Sequence, residues 1–342
     1  MYFAVSTEKH SMRLLFITQK IHANDDDLAF TILWVKEFIT QGIEVEVICL
    51  EKGAFDGSFP VHSLGKEEGA GKFTRLLRFL KLITTLKYDT VFVHMNPQYF
   101  TYGGWWWFLR GIPTYLWYTH YTMTPHLFLA GLFAKRLFAA TAQSLPQYES
   151  NPKKVVLGHG IDTEFWGALS DRGRDPYQLL SVHRLSRSKR FEIVIETLAL
   201  LGAKYTVTVY GRPIDPAYFE ELKDLVHTRA LEGRVHFKGP VPMHELPAIY
   251  SRYRLMINMA SETIDKTMLE ALFLGVYPVT TPRNAHAIGL TTYPADESPK
   301  TLAQFIESKQ WDTMSPSEGR SLVANKHSLT HLVQEMIKHM TL

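Results

Sequence analysis

Short β-branched runs alternate with longer segments of helical period along most of this chain, and the alternation runs through twice. Strand-like runs at Leu14–Thr18, Val45–Leu50, Thr90–His94, Thr114–Tyr118 and Val155–Leu157 are separated by helical segments at Leu28–Thr40, Lys72–Lys87, Gln98–Arg110 and Leu127–Arg136. Strands joined through helices run parallel, so this order predicts a parallel sheet covered by helices on both faces. After the polar stretch Gly167–Pro176 the pattern restarts. Strands are expected at Gln178–His183, Tyr205–Tyr210, Arg234–Lys238, Leu255–Asn258 and Val276–Thr280, with helices at Arg190–Leu201, Pro216–Leu231, His244–Ser251 and Lys266–Leu274. The expected class is α/β: two doubly wound parallel-sheet domains facing each other across a cleft at their strand C-terminal ends. The expected boundaries are a loose polar extension over 1–11, a first domain over 12–166, a linker over 167–176 and a second domain over 177–325. A final helical stretch over 326–342 is free to pack back on the first domain.

Composition narrows the function classes. The 342 residues are 46% hydrophobic and 21% charged, enough apolar material for sizeable cores. Lys and Arg number 37 against 34 Asp and Glu, too even a balance for a dedicated nucleic-acid binder. Cys49 is the sole cysteine, so intramolecular disulfides and thiolate metal clusters are excluded. No apolar run approaches the ~18 residues that span a bilayer, and no signal-peptide core opens the chain, so a cytoplasmic protein is expected.

Chemistry concentrates in two segments. Ser261-Glu262-Thr263-Ile264-Asp265-Lys266-Thr267-Met268-Leu269-Glu270 follows a strand and turns into a helix that starts near Asp265, with Gly275 as its C-terminal stop. The free N–H groups and positive dipole end of such a helix suit a phosphate. Glu262 and Glu270 are eight positions apart, up to ~12 Å in helix. Two carboxylates so spaced can hold hydroxyls at opposite ends of one elongated ligand, or else serve as a cap and a surface residue. In the loop His183-Arg184-Leu185-Ser186-Arg187-Ser188-Lys189, which leaves a strand end, Arg184 and Lys189 can flank a diphosphate, while Arg187 and Arg190 read as solvated charges.

With Gly158-His159-Gly160-Ile161-Asp162 ahead of them, these segments resemble the family-4 retaining glycosyltransferases of the two-Rossmann GT-B fold, over about Met12 to Thr281. The resemblance implies that Arg184 and Lys189 bind the donor diphosphate, with backbone N–H groups around Thr263, Ile264, Asp265 and Lys266 completing the cradle. It assigns the ribose to Glu270 and the transferred sugar to Glu262. Gly211 and the turn Gly239-Pro240-Val241 would line the nucleotide pocket. His120, at the end of Thr114–Tyr118, would contact the transferred sugar, with His94 and Asn96 as acceptor-side candidates. The implied donor is a UDP- or GDP-sugar, the implied acceptor a glycan or a lipid-linked molecule, and neither metal nor cofactor is implied.

The chain departs from its relatives in two places. Where they carry a glycine pair after the first strand, it has Lys20-Ile21-His22-Ala23-Asn24-Asp25-Asp26-Asp27, in which Asp25 or Asp26 reads as the cap of the helix from Leu28 or as an acceptor-hydroxyl ligand. Where they have Gly-Phe-Gly after the first glutamate, it has Thr263-Ile264-Asp265, which sets a carboxylate beside the phosphate site. These departures keep a silent sugar-nucleotide-binding scaffold open as a second function, and an epimerase of related fold is a third. Finally, Phe73, Leu76, Leu77, Leu80 and Ile83 form an apolar stripe beside Lys72, Arg75, Arg78 and Lys81. It can pack on the sheet or lie on an anionic membrane, and Trp105-Trp106-Trp107-Phe108-Leu109 can add to a membrane contact, pack in the core or form a sugar-stacking wall.

Overall fold

The computed structural model describes residues 11–25, 28–167, 174–261 and 264–341. The chain forms two compact units, one holding residues up to Ala139 with Gln147–Val156 and the chain from Val333, the other Ala140–Pro146 with Leu157–Leu332.

In the first unit β1 (Arg13–Ile21), α1 (Phe30–Thr40), β2 (Glu44–Lys52), β3 (Val61–Ser63), α2 (Lys72–Thr85), β4 (Thr90–His94), α3 (Gln98–Leu109), β5 (Thr114–Trp117), α4 (Pro125–Phe133), β6 (Arg136–Ala139) and β7 (Lys154–Val156) follow in order. The strands pair in parallel as β3-β2-β1-β4-β5-β6-β7. Leu14 to Ile17 of β1 are fully buried, the continuous apolar run of a strand covered on both faces. The chain steps one way from β1 to β2 and the other way from β3 through β6. Right-handed crossovers therefore put α1 on one face and α2, α3 and α4 side by side on the other, where α2 packs on α3 and α3 on α4.

The second unit contains α5 (Thr163–Trp166), β8 (Asp175–Val182), α6 (Phe191–Leu200), β9 (Thr206–Tyr210), α7 (Pro216–Thr228), β10 (Val235–Gly239), α8 (Leu246–Tyr250), β11 (Tyr253–Asn258), α9 (Lys266–Phe273), β12 (Tyr277–Thr280), α10 (Pro282–Ile288), α11 (Pro299–Ser308) and α12 (Pro316–His327). Its parallel sheet has the order β10-β9-β8-β11-β12. α13 (Leu329–Thr341) ends the chain, and its Met340 carbonyl accepts the Tyr115 hydroxyl at 3.2 Å.

Several expectations shift. The helix read as ending at Arg136 stops at Phe133, because Ala134 turns extended and releases Arg136–Ala139 to pair as β6 between β5 and β7. α1 begins at Phe30, not Leu28. Asp25 accepts the Leu28 N–H at 2.7 Å and pairs with Lys20 at 2.9 Å, so it fastens the turn ahead of the helix. Asp26 lies outside the described residues, as do 1–10 and 168–173 of the expected extension and linker.

Candidate functional site

Two strand ends in the second unit, those of β8 and β11, converge on the start of α9. Ser181, near the end of β8, donates its hydroxyl to the Ile257 carbonyl of β11 at 2.7 Å. Thr267, in the first turn of α9, donates to the Val182 carbonyl at 2.8 Å and so fixes the helix start against the end of β8. Asn258 closes β11 fully buried; its side-chain amide N–H donates to Asp265 at 2.9 Å while its Oδ1 accepts the Ala260 N–H at 3.0 Å.

Asp265 occupies the N-cap position of α9 without capping it. Its carboxylate instead pairs with Lys189, both side chains being largely buried. Burial alone would push the Asp265 carboxyl up, but the Lys189 ammonium, His183 and the Asn258 amide hold it below the ordinary carboxylate value. Lys189 is therefore carried from the β8–α6 loop to the helix tip. Ser261 closes the same loop against β11, its N–H donating to the Ser188 carbonyl at 3.0 Å.

Glu270 is buried one turn inside α9, beyond Lys266 on the same face. Burial raises its carboxyl pKa and lowers that of the Lys266 ammonium, and each charge opposes the shift of the other. The Tyr250 hydroxyl reaches Glu270 Oε2 at 3.5 Å from α8. Fully buried, with its own pKa pushed well up by burial, Tyr250 stays a donor. Arg184 is exposed at the opening of the loop. Arg187 pairs at the surface with Glu221 at 2.6 Å, but Arg190 is not a solvated charge: it donates to the Met259 carbonyl at 2.8 Å and pairs with Glu297 at 2.5 Å.

Gly211 is needed on steric grounds. The His183 N–H donates to the Tyr210 carbonyl at 3.0 Å, so the two loops run close together. At φ +151° a Cβ on Gly211 would lie 1.9 Å from the His183 carbonyl oxygen. The Gly211 N–H donates to the Gly239 carbonyl at 2.8 Å, which binds this turn to the one that continues through Pro240 and Val241. Gly211→Ala is expected to destabilise the protein by ~1–3 kcal/mol, the usual cost of overpacking, and to weaken nucleotide binding. Urea denaturation and calorimetric titration measure the two effects.

The segment Gly158–Asp162 lies against the C-terminal end of α12: Ile161 N–H donates to the His327 carbonyl at 2.6 Å. Burial, reinforced by His327 and Lys266 and opposed by Asp265, pushes the His159 pKa down to about 3, so it is neutral near pH 7. Its Nε2 is buried without a partner among the described residues. Glu262 and Thr263 lie outside the described residues. Ile264 is buried beneath the helix start.

In the first unit the strand-end residues separate. His94 is buried at the end of β4, with Nδ1 3.5 Å from the Thr18 hydroxyl and its ring 5.1 Å from Trp34. Asn96 is buried and donates to the His94 carbonyl at 2.8 Å. His120 follows β5 and is exposed, its ring 5.4 Å from that of Tyr118. Sequence reasoning passed over Tyr250, Thr267 and Asn258, and took Arg190 for a solvated charge. Asn258 alone left a signal, a polar residue closing an apolar strand.

Known proteins resemble this chain in sequence family and in fold. Residues 163–287 match the family "Glycosyl transferases group 1", and residues 22–142 match "Glycosyl transferase 4-like". No curated protein matches the chain in sequence. Similar solved structures include HepE of Anabaena in complex with UDP and glucose, at TM-score 0.77, 17% identity, and coverage of 96% of this chain and 99% of that one. Sucrose-phosphate synthase from Thermosynechococcus elongatus aligns at TM-score 0.71 with 14% identity, covering 96% and 98%. The pneumococcal O-GlcNAc transferase GtfA in complex with UDP and GlcNAc aligns at 0.73 with 11% identity, covering 97% and 99%. The two parallel-sheet units match the GT-B fold of these neighbours. Within that class, the chain is a family-4-like glycosyltransferase.

Proposed function

We propose that the protein moves a sugar from a UDP- or GDP-sugar to a glycan or lipid-linked acceptor with retention at the anomeric carbon, as a hexosyltransferase in cell-envelope glycan synthesis. The observation that carries this reading is Lys189 held at the tip of α9 by Asp265 and Asn258, with buried Glu270 one turn along the same helix. A diphosphate displaces the Asp265 carboxylate from Lys189, gains Arg184 and the first-turn N–H groups of α9, and leaves the ribose hydroxyls at Glu270. Preorganised cations and a helix tip stabilise a departing nucleoside diphosphate without metal or cofactor. Glu262 and His120 are assigned to the transferred sugar, and His94, Asn96 and Asp25 to the acceptor side. The neighbours HepE and GtfA, captured with UDP, support a nucleotide-sugar donor.

The enzyme is placed in the cytoplasm, peripheral on the inner face of the membrane. No helix among the described residues is long and apolar enough to cross a membrane. The Asp265–Lys189 pair favours one competing reading, a protein that binds sugar nucleotides without transfer. Incubation with UDP-, GDP- and ADP-sugars plus glycan and lipid acceptors separates the two. Transfer predicts acceptor-dependent nucleoside diphosphate release from one donor with the product anomer retained. Binding without release from any donor indicates the scaffold, and interconversion of the free donor indicates an epimerase.

A further inference from the structure

On the helical face of the first unit, α2, α3 and α4 leave their outer rows uncovered. Phe73 and Leu77 on α2 are 72% and 51% exposed, Trp105, Phe108 and Leu109 on α3 49%, 71% and 72%, and Phe128 and Leu132 on α4 55% and 58%. The stripe on α2 is thus split. Phe79, outside the stripe, and Ile83 make the sheet-side contact, Phe79 lying 4.9 Å from the Tyr99 ring, while the Phe73 and Leu77 edge faces outwards. Aromatic side chains carry ~150–250 Å² each, so the exposed rows sum to several hundred Å², at or beyond the roughly 300–600 Å² of the largest patch on an ordinary monomer.

Charge decides what covers it. From Gly69 to Tyr148 the sequence has one acidic residue, Asp89, and Arg13 neutralises it at 2.6 Å. Lys72, Lys81, Arg110 and Lys135 stand exposed along the three helices, with Arg110 also lying 5.4 Å from the Trp106 ring. We propose that this three-helix face seats on an anionic lipid surface, its aromatic and aliphatic rows entering the headgroup boundary and its cations meeting lipid phosphates. A second copy of the chain fits poorly, because a two-fold pairing of this face sets cations against cations. The inference is independent of the donor site and extends the membrane contact from α2 to a surface that α3 and α4 dominate.

The test is co-sedimentation of the full chain with phosphatidylcholine vesicles with and without phosphatidylglycerol, at low and physiological salt. Binding is expected only with the anionic lipid and is expected to weaken as salt rises. Lys81→Gln with Lys135→Gln is expected to lower affinity about 25-fold, at about fivefold per charge. Phe108→Ser with Leu109→Ser is expected to lower it at least tenfold. Leu200→Ser, at a 56% exposed site on α6, and Lys189→Ala are expected to leave it unchanged, so a failed donor reading and a failed membrane reading are told apart. Equal binding to neutral vesicles, or anionic binding that survives both α3 substitutions, overturns the proposal. So does self-association that the α3 substitutions abolish, which would assign the face to a second copy.

Discussion

Lys189→Ala is expected to weaken nucleoside diphosphate binding roughly 10- to 100-fold, the range that follows from losing a hydrogen bond to a charged group worth ~1.5–3 kcal/mol. It is also expected to destabilise the protein, by up to about 3 kcal/mol, because it leaves the Asp265 carboxylate largely buried with the Asn258 amide and His183 as its remaining charge-stabilising contacts. The two effects have different origins, and the pH dependence separates them. In the wild type Asp265 is held below its ordinary pKa. Its contribution is therefore fully present above ~4 and is lost as pH falls through the lower folded value. Without Lys189, burial dominates and the carboxyl shifts upwards, so stability is lost as pH rises. Lys189→Ala combined with Asp265→Asn removes the stranded charge: it is expected to recover most of the stability and none of the nucleotide affinity. Asp265→Asn alone frees the ammonium and is expected to tighten binding. Urea denaturation across pH and calorimetric titration with UDP and GDP give both readouts. Unchanged affinity in Lys189→Ala would remove the phosphate role of this loop.

Much of the architecture was legible because a buried parallel strand must be apolar throughout. Thr90–His94 is recovered residue for residue, and the central strands β1, β8 and β11 differ only at their ends. The elements that escaped are those whose state is set by neighbours. β3 and β6 are three and four residues long, too short to show a period, and exist because an adjacent strand offers a ladder. α10, α11 and α12 each begin with Pro after a Thr or Ser cap, a start signal that carries weight only once the sheet is known to end at β12. At the site, Lys189, Asp265 and Glu270 could be found from spacing on a strand–loop–helix unit. Tyr250 and Thr267 could not, since each acts through hydrogen bonds that cross from one element to another. Arg190 was read as solvated because a side chain that reaches a backbone carbonyl at Met259 looks no different in sequence from one in water.

Glu270→Ala is expected to abolish measurable donor binding at micromolar protein, a loss of about 100-fold or more. The carboxylate can accept both hydroxyls of a ribose diol, and each such bond to a charged group is worth ~1.5–3 kcal/mol. The folded protein already bears the cost of burying that charge, offset by Lys266 and the Tyr250 hydroxyl. Because burial raises the Glu270 pKa, the proton is held more tightly in the folded than in the unfolded chain. Its stabilising contribution is complete below the ordinary carboxylate range and is lost as pH rises through the higher folded value. Donor binding has the opposite dependence. The ionised form presents all its acceptors to the diol, so affinity climbs over the interval in which stability declines, and binding releases a proton. Glu270→Gln keeps the shape and one acceptor, so it is expected to retain weak binding with a flatter pH profile. Subtracting that profile from the wild-type one removes the titration of the nucleotide phosphates. Tyr250→Phe removes the donor that favours the carboxylate, and is expected to move the wild-type profile to higher pH with a smaller loss of affinity. If the wild-type and Glu270→Gln profiles run parallel, the carboxylate does not hold the ribose.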